Sequence, residues 1–217
     1  ICALALLPQT ADAARLWSSG AELQSSASEV EMATSSTVGS PATLSINTSI
    51  KHSGAAAYRI QRTTSGFGRF TQIFDASGVA TTMYFRFYIY IATLPAANTD
   101  IFAVASGQTT ESEGLLILNT TGTLSWISDD SSTVRVTGAS TLSTGQWYRI
   151  EVAYTANSTL EVRLNGVTEM TLASHDGDPI TDGSVTMSAI RPDTTGDWYF
   201  DDIAINDTTG TQQTGWP

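Results

Sequence analysis

This chain has little of what most functional motifs are made from. Cys2 is the one cysteine among 217 residues, so no disulfide can form within the chain. That is neutral for a bacterial or viral protein and argues against a eukaryotic secreted domain, where disulfides are common. There are two histidines, His52 and His175, and one lysine, Lys51. No His or Cys group has zinc spacing. No glycine loop has a phosphate-binding form. Neither histidine adjoins a Gly-x-Ser-x-Gly or similar nucleophile. Charged residues make up 14% of the chain, and the formal net charge is −11. Such a field repels nucleic acid and anionic membranes, which excludes DNA and RNA as partners. It suits cation binding and it suits plain solubility, and both readings stay open. Helical periodicity is missing too: no stretch of ordinary helix length repeats its apolar residues every 3.6 positions. Internal repeats and low-complexity blocks are also absent.

What is there is a succession of short strands rich in Ser and Thr. Alternation and turn residues predict strands at Arg15–Trp17, Thr43–Asn47, Ala56–Arg62, Gly68–Phe74, Thr81–Ile91, Asp100–Ala105 and Gly114–Asn119. Further strands are predicted at Thr123–Ile127, Thr133–Thr137, Trp147–Tyr154, Leu160–Leu164, Glu169–Leu172, Ser184–Ile190 and Trp198–Ile205. Breaks fall at Ser53-Gly54, Ser77-Gly78, Thr121-Gly122, Asn165-Gly166 and Asp182-Gly183. The expectation is an all-β fold, an antiparallel jelly-roll β-sandwich of two curved sheets, with residues 14–217 as one domain.

The first thirteen residues stand apart. Ile1-Cys-Ala-Leu-Ala-Leu-Leu7 is apolar, Pro8 breaks it, and Ala11-Asp-Ala13 has the form of a small-residue cleavage site. Three readings stay open: the back half of a secretory signal, a strand docked on or donated to a second copy through residues 1–7, and a misassigned start. The stretch is too short to span a membrane.

Strand faces follow from alternation. In Thr81–Ile91, Met83, Phe85, Phe87, Ile89 and Ile91 share one face, which must be core. Tyr84, Arg86, Tyr88 and Tyr90 share the other, an aromatic row around one guanidinium at a repeat of about 6.6 Å. Sugar rings stack their C–H faces on such aromatics and accept hydrogen bonds from a guanidinium. The row is therefore the candidate glycan site, with Trp126 as a further lining residue. The competing reading is a packing face covered by a second layer, a loop or another subunit. Arg149, Glu151, Glu161 and Arg163 are expected to form cross-strand ion pairs on a solvated face.

The end of the chain, Asp197-Trp-Tyr-Phe-Asp-Asp-Ile-Ala-Ile-Asn-Asp207, places Asp201 and Asp202 inside an apolar strand. Buried carboxylates need a cation, a basic partner or backbone N–H donors.

Several motifs carry a family resemblance. Thr144-Gly-Gln-Trp-Tyr-Arg-Ile-Glu-Val-Ala-Tyr154 followed by Leu160-Glu-Val-Arg-Leu-Asn-Gly166 resembles the central hairpin of the concanavalin A-like lectin/glucanase superfamily, which includes laminin-G-like domains. Lys51-His-Ser-Gly-Ala-Ala-Ala-Tyr-Arg-Ile60 is similar to a strand of related carbohydrate-binding modules. Gly20-Ala-Glu22 with Phe200-Asp-Asp-Ile203 resembles the Gly-Phe-Glu and Ile-Asp-Asp-Val pair of those modules, with Ala21 where they carry an aromatic. The resemblance implies one structural Ca²⁺ held by Glu22, the Ser53–Gly54 backbone and Asp201 or Asp202, away from the sugar site. The alternative is that the Asp pair bonds to backbone amides, Arg15 or Arg59.

Glucanases of this fold carry paired carboxylates on one strand. The nearest matches, Glu29-Val-Glu31 and Glu111-Ser-Glu113, lack the intervening Asp and an aromatic strand. The expectation is a protein that is not an enzyme. Two function classes remain: a non-catalytic carbohydrate-binding or adhesive domain, exported or displayed on a particle surface, and a structural subunit of a phage virion or extracellular filament that assembles through its N-terminal strand. Glycoside hydrolysis is a third. All imply an extracellular or virion-associated setting.

Overall fold

The computed structural model describes residues 15–24, 35–39, 42–63, 67–80, 82–106, 112–128, 133–175, 180–189, 195–208 and 216–217. Fifteen strands run through them. They are β1 (Arg15–Ser19), β2 (Ser35–Gly39), β3 (Ala42–Asn47), β4 (Ala57–Arg62) and β5 (Phe67–Ala80). Next come β6 (Thr82–Thr93), β7 (Thr99–Ser106), β8 (Ser112–Leu118), β9 (Leu124–Ser128) and β10 (Val134–Thr137). The last five are β11 (Trp147–Thr155), β12 (Leu160–Leu164), β13 (Val167–Leu172), β14 (Ile180–Ala189) and β15 (Gly196–Asp207). Among the described residues no helix is long and apolar enough to cross a membrane.

The strands form two antiparallel sheets, a jelly-roll β-sandwich. One sheet has eight strands in the order β13-β12-β11-β6-β15-β4-β3, with β1 beside β15. The other has seven, in the order β10-β9-β8-β7-β14-β5-β2. The one strand that the sequence pattern did not predict is β2. Ser-Ser-Thr-Val-Gly has a single large apolar residue and no alternation, and it pairs at a sheet edge with β5. The Asn165-Gly166 turn between β12 and β13 holds both residues at positive φ, 53° and 84°. Asn and Gly tolerate that conformation, and hairpin twist demands it.

The core lies where alternation put it. Met83, Phe85, Phe87, Ile89 and Ile91 are at most 1% exposed. From the facing sheet, Phe102 packs edge-on against Phe85 and stacks on Phe87, with centroids 5.3 and 5.4 Å apart. Ile150, Val152, Leu160, Val162 and Phe200 extend the same layer. Each fully buried large apolar side chain contributes about 1.5–3 kcal/mol, so this ridge fixes which face of β6 is left outside.

Candidate functional site

The outer face of the eight-stranded sheet is built around β6. Register carries it across three neighbouring strands. Tyr90 stands opposite Trp147 of β11 and Tyr199 of β15, and Tyr88 stands opposite Arg149 and Asp201. Arg86 faces Glu151 and Ala204, and Tyr84 faces Ala153 and Asn206. Tyr84, Arg86, Tyr88 and Tyr90 are half-buried, as an outward row flanked by large side chains should be.

Loops and neighbours complete the row. The His52 ring stacks on Tyr88 at 3.6 Å and meets Trp147 edge-on at 5.7 Å. Tyr90 lies between Trp147 at 5.6 Å and Tyr199 at 5.8 Å. At the other end, Trp216 packs edge-on against Tyr84 at 5.5 Å and under the Arg163 guanidinium at 4.0 Å. Tyr199 forms the floor. Burial raises its phenol pKa, and the neighbouring Asp197 charge raises it further. Thus the Tyr row is partly roofed by His52 and Trp216, while Tyr90 and Trp147 keep half-exposed rings side by side.

Trp126 is not part of this face. Its side chain is fully buried between the sheets, and its Nε1–H donates to Ser128 Oγ at 3.1 Å. A Cβ on Gly114 would sit 2.1 Å from its ring, so the indole occupies space that the adjacent strand yields. His52, Trp147 and Tyr199 belong to the site, and the sequence reading did not place them there. Trp147 alternates with the buried Tyr148 and Ile150 and so turns outward, but the pairing of β15 with β6 that adds Tyr199 is a long-range register.

The ion pairs of Arg149 and Arg163 run along strands rather than across them, whereas Arg59 reaches across from β4 to Asp197 of β15. Arg163 Nε donates to Glu161 Oε1 at 2.8 Å, and Arg149 Nε lies 3.3 Å from Glu151 Oε2. Residues two apart share a strand face and can pair directly. Glu151 is buried, at 4% exposure, while its partner Arg149 stays partly exposed, so the face is only partly solvated here. Arg59 grips Asp197 through two bonds of 2.9 and 2.6 Å.

Asp201 and Asp202 sit at a bulge. β15 pairs first with β4, through Gly196–Phe200, then with β1, through Ile203–Asn206. Between them its register against β6 shifts, and Asp202 takes a φ of 47°. Asp is among the few residues that accept the left-handed region, and the bulge re-aims both carboxylates toward one loop. Asp201 Oδ2 accepts from the backbone N–H groups of His52 at 2.8 Å and Ser53 at 3.2 Å. Asp201 Oδ1 accepts from the Asp202 N–H at 2.8 Å. Asp202 accepts from His52 Nδ1 at 2.7 Å and from Ser53 Oγ at 2.8 Å. Backbone amides therefore satisfy Asp201, while Arg59 and Arg15 go to Asp197 and Asn206. Burial pushes the Asp201 carboxyl pKa upward, against the lowering pull of those N–H bonds.

Glu22 joins this corner by accepting from the Ala55 N–H at 2.8 Å. Gly54, at φ +56°, makes room: a Cβ there would lie 1.7 Å from Glu22 Oε1. A Cβ on Gly20 would lie 3.3 Å from Glu22 Oε1, 3.5 Å from Asp201 Oδ1 and 3.6 Å from Asp202 Oδ1. The space over Gly20 is thus a cradle faced by three hard carboxylate oxygens, the donor type that calcium takes. Among the described residues, no group of three or more His, Cys, Asp or Glu side chains is arranged so that it could hold a metal ion.

The remaining sequence candidates fall elsewhere. Residues 1–14, Glu29, Glu31 and Glu111 lie outside the described residues. Glu113 is buried on β8, in the other sheet.

No protein-family model matches the chain, and no curated protein sequence matches it. Solved structures do. A cellulose induced protein, Cip1, has a TM-score of 0.62 at 18% identity, over 87% of this chain and 95% of its own. An endo-β-1,4-glucuronan lyase from the fungus Trichoderma reesei has a TM-score of 0.60 at 11% identity, over 91% of this chain and 100% of its own. A conserved carbohydrate esterase from the Shiga toxin-encoding bacteriophage phi24B has a TM-score of 0.58 at 12% identity, over 89% of this chain and 98% of its own. At these identities the likeness is one of fold, and this chain shares the jelly-roll sandwich of these three proteins.

Proposed function

We propose that this protein is a non-catalytic glycan-binding β-sandwich, and that it binds sugar on the outer face of the eight-stranded sheet. The observation that carries the reading is the adjacent, half-exposed pair Tyr90 and Trp147, floored by Tyr199 and continued by His52 on Tyr88. Aromatic faces stack on the apolar faces of pyranose rings. The surrounding arginines, hydroxyls and carboxylates supply hydrogen bonds that fix orientation. The fold neighbours include a glucuronan lyase and a carbohydrate esterase by name, which fits a carbohydrate role without assigning one. This reading sets the protein outside the cell or on a particle surface, where polymeric glycans are met. The assembly reading rests on residues 1–7, outside the described residues.

The cradle over Gly20 is, on this proposal, a structural calcium site. Glu22, Asp201 and Asp202 would hold the ion. It would neutralise the buried Asp201 carboxylate and tie the turn after β1 to the β15 bulge.

One observation favours a second reading, acid–base chemistry on a bound glycan. His52 Nδ1 donates to Asp202 Oδ2, and 31% of the His52 side chain is exposed. A carboxylate-held imidazole presents its other nitrogen as a base. New reducing ends from a polysaccharide, lost in His52→Gln, would carry that reading.

The experiment for the main proposal is affinity electrophoresis through a panel of soluble polysaccharides. Retardation by at least one polymer, lost in Trp147→Ala, is expected. A folded protein retarded by none of them would refute glycan binding.

A further inference from the structure

The arginines of this face are not used alike. Arg59, Arg149 and Arg163 each have a carboxylate within ion-pair distance: Asp197, Glu151 and Glu161. Arg15 and Arg86 have none among the described residues. Arg15 Nε donates to the Asn206 side-chain oxygen at 2.6 Å, and Arg86 Nε donates to the Asp202 carbonyl at 3.4 Å. These bonds anchor each guanidinium through Nε. No described hydrogen bond uses an Nη atom of either residue.

The two guanidiniums face one cavity of about 450 Å³, which Ser18, Gly20, Glu22, Ser53 and Asp202 also line, so it opens onto the cradle over Gly20. Sheet register explains the meeting. Arg86 of β6 pairs with Ala204 of β15, and Ala204 pairs with Ser18 of β1. Arg15 stands opposite Asn206, one outward position along β15. The small Ala204 and Ser18 side chains leave the space between the arginines open. Their mutual repulsion registers in Arg15, whose pKa is lowered by burial and by the Arg86 charge. The acids on the cavity wall each hold a neighbour, and they are also the ones that would share the proposed calcium over Gly20. Glu22 holds the Ala55 N–H, and Asp202 holds His52 and Ser53.

The two guanidiniums share the recess with the Glu22 and Asp202 carboxylates, but neither lies within ion-pair distance of a carboxylate among the described residues, so their Nη forks face the cavity for a further acceptor. Guanidinium forks fit planar carboxylates in bidentate fashion. Arg86 also stands between Tyr84 and Tyr88 of the aromatic row, so an anion held there would be attached to whatever lies on the row.

We propose that Arg15 and Arg86 form a carboxylate subsite, and that the ligand of this face is an acidic glycan, a polymer or oligomer of uronic acid. This rests on the glycan-binding reading above and names the class of sugar.

The test is calorimetric titration of the full chain with an oligouronide and with its carboxyl-reduced, neutral counterpart. A sulfated neutral oligosaccharide serves as a third ligand. The oligouronide is expected to bind at least about tenfold tighter than the neutral oligomer, because charge-assisted hydrogen bonds are the strong ones. That preference should shrink as NaCl rises. Arg86→Gln and Arg15→Gln should each lose about tenfold for the oligouronide and keep their affinity for the neutral oligomer. Equal binding of acidic and neutral oligomers by the wild type overturns the subsite but leaves glycan binding standing. Binding of none of the three overturns both. Preference for the sulfated ligand over the oligouronide overturns the carboxylate assignment. The wild-type comparison stands even where a variant fails to fold, and circular dichroism identifies that case.

Discussion

Replacing Asp201 with alanine removes the acceptor that seats the loop before β4. Three N–H donors converge on this carboxylate: His52 and Ser53 on Oδ2, and Asp202 on Oδ1. Its side chain is fully buried. A buried donor left unpaired costs about 1–3 kcal/mol. The loop carrying His52 and Ser53 is exposed, so water can replace part of what its two N–H groups lose. The expected destabilisation of Asp201→Ala is about 3 kcal/mol, chiefly from the Asp202 N–H and the unseated loop. For a chain of this size that is a melting-temperature drop of about 6–12 °C. Asp201→Asn keeps two of the three bonds and should cost less.

The pH dependence has a definite sign. Burial raises the Asp201 carboxyl pKa in the folded protein. The native state then binds this proton more tightly than the unfolded chain does. The stability Asp201 contributes is full below the unfolded carboxylate pKa and is lost as pH rises through the folded value. Without divalent metal, the wild type should therefore lose stability relative to Asp201→Asn as pH climbs through that window. Scanning calorimetry in EDTA across pH reads both effects. A drop of under about 2 °C for Asp201→Ala, or a wild-type advantage that grows with pH, would refute the reasoning.

Other outcomes follow from the same corner and from the core. At free Ca²⁺ about a hundredfold above its dissociation constant, stabilisation is about 2.7 kcal/mol, a rise of about 5–10 °C over EDTA; equal melting temperatures would dismiss the cradle as a metal site. Gly54→Ala would force a side chain into the left-handed region and against Glu22, which a Cβ would approach to 1.7 Å; a loss of at least about 1 kcal/mol in urea unfolding is expected. Phe102→Ala should cost about 3–5 kcal/mol, because its ring bridges to Phe85 and Phe87 from the facing sheet; a cost under about 1 kcal/mol would mean that the sheets do not meet there.

The sequence carried the core ridge because it depends on alternation alone. Met83, Phe85 and Phe87 turn inward wherever β6 sits, and Tyr84, Tyr88 and Tyr90 must then turn outward. It carried the Asp201–Asp202 anomaly as well, since charge inside an apolar strand is visible without coordinates. What lines the cleft was less legible. His52 reaches Tyr88 through a loop, and Tyr199 reaches Tyr90 through a pairing of residues more than a hundred positions apart. Trp126 was misplaced because an aromatic with no alternating neighbours gives no facing signal: every residue of β9 is buried. The ion pairs were misdirected for a similar reason. Arg163 and Glu161 can reach one another along one strand, and period-two spacing does not say whether they reach along or across.

Glycan binding at this face requires that sugar lie on Tyr90 and Trp147. Indole N–H resonances report this directly, since Trp147 is half-exposed on that face while Trp126 and Trp198 are fully buried. Titration with a retained glycan should move the Trp147 indole signal, along with the Tyr88, Tyr90 and Tyr199 amides, and leave Trp126 in place. Shifts confined to strands β5, β7, β8, β9 and β14 of the other sheet, with Trp147 unmoved at saturation, would contradict it.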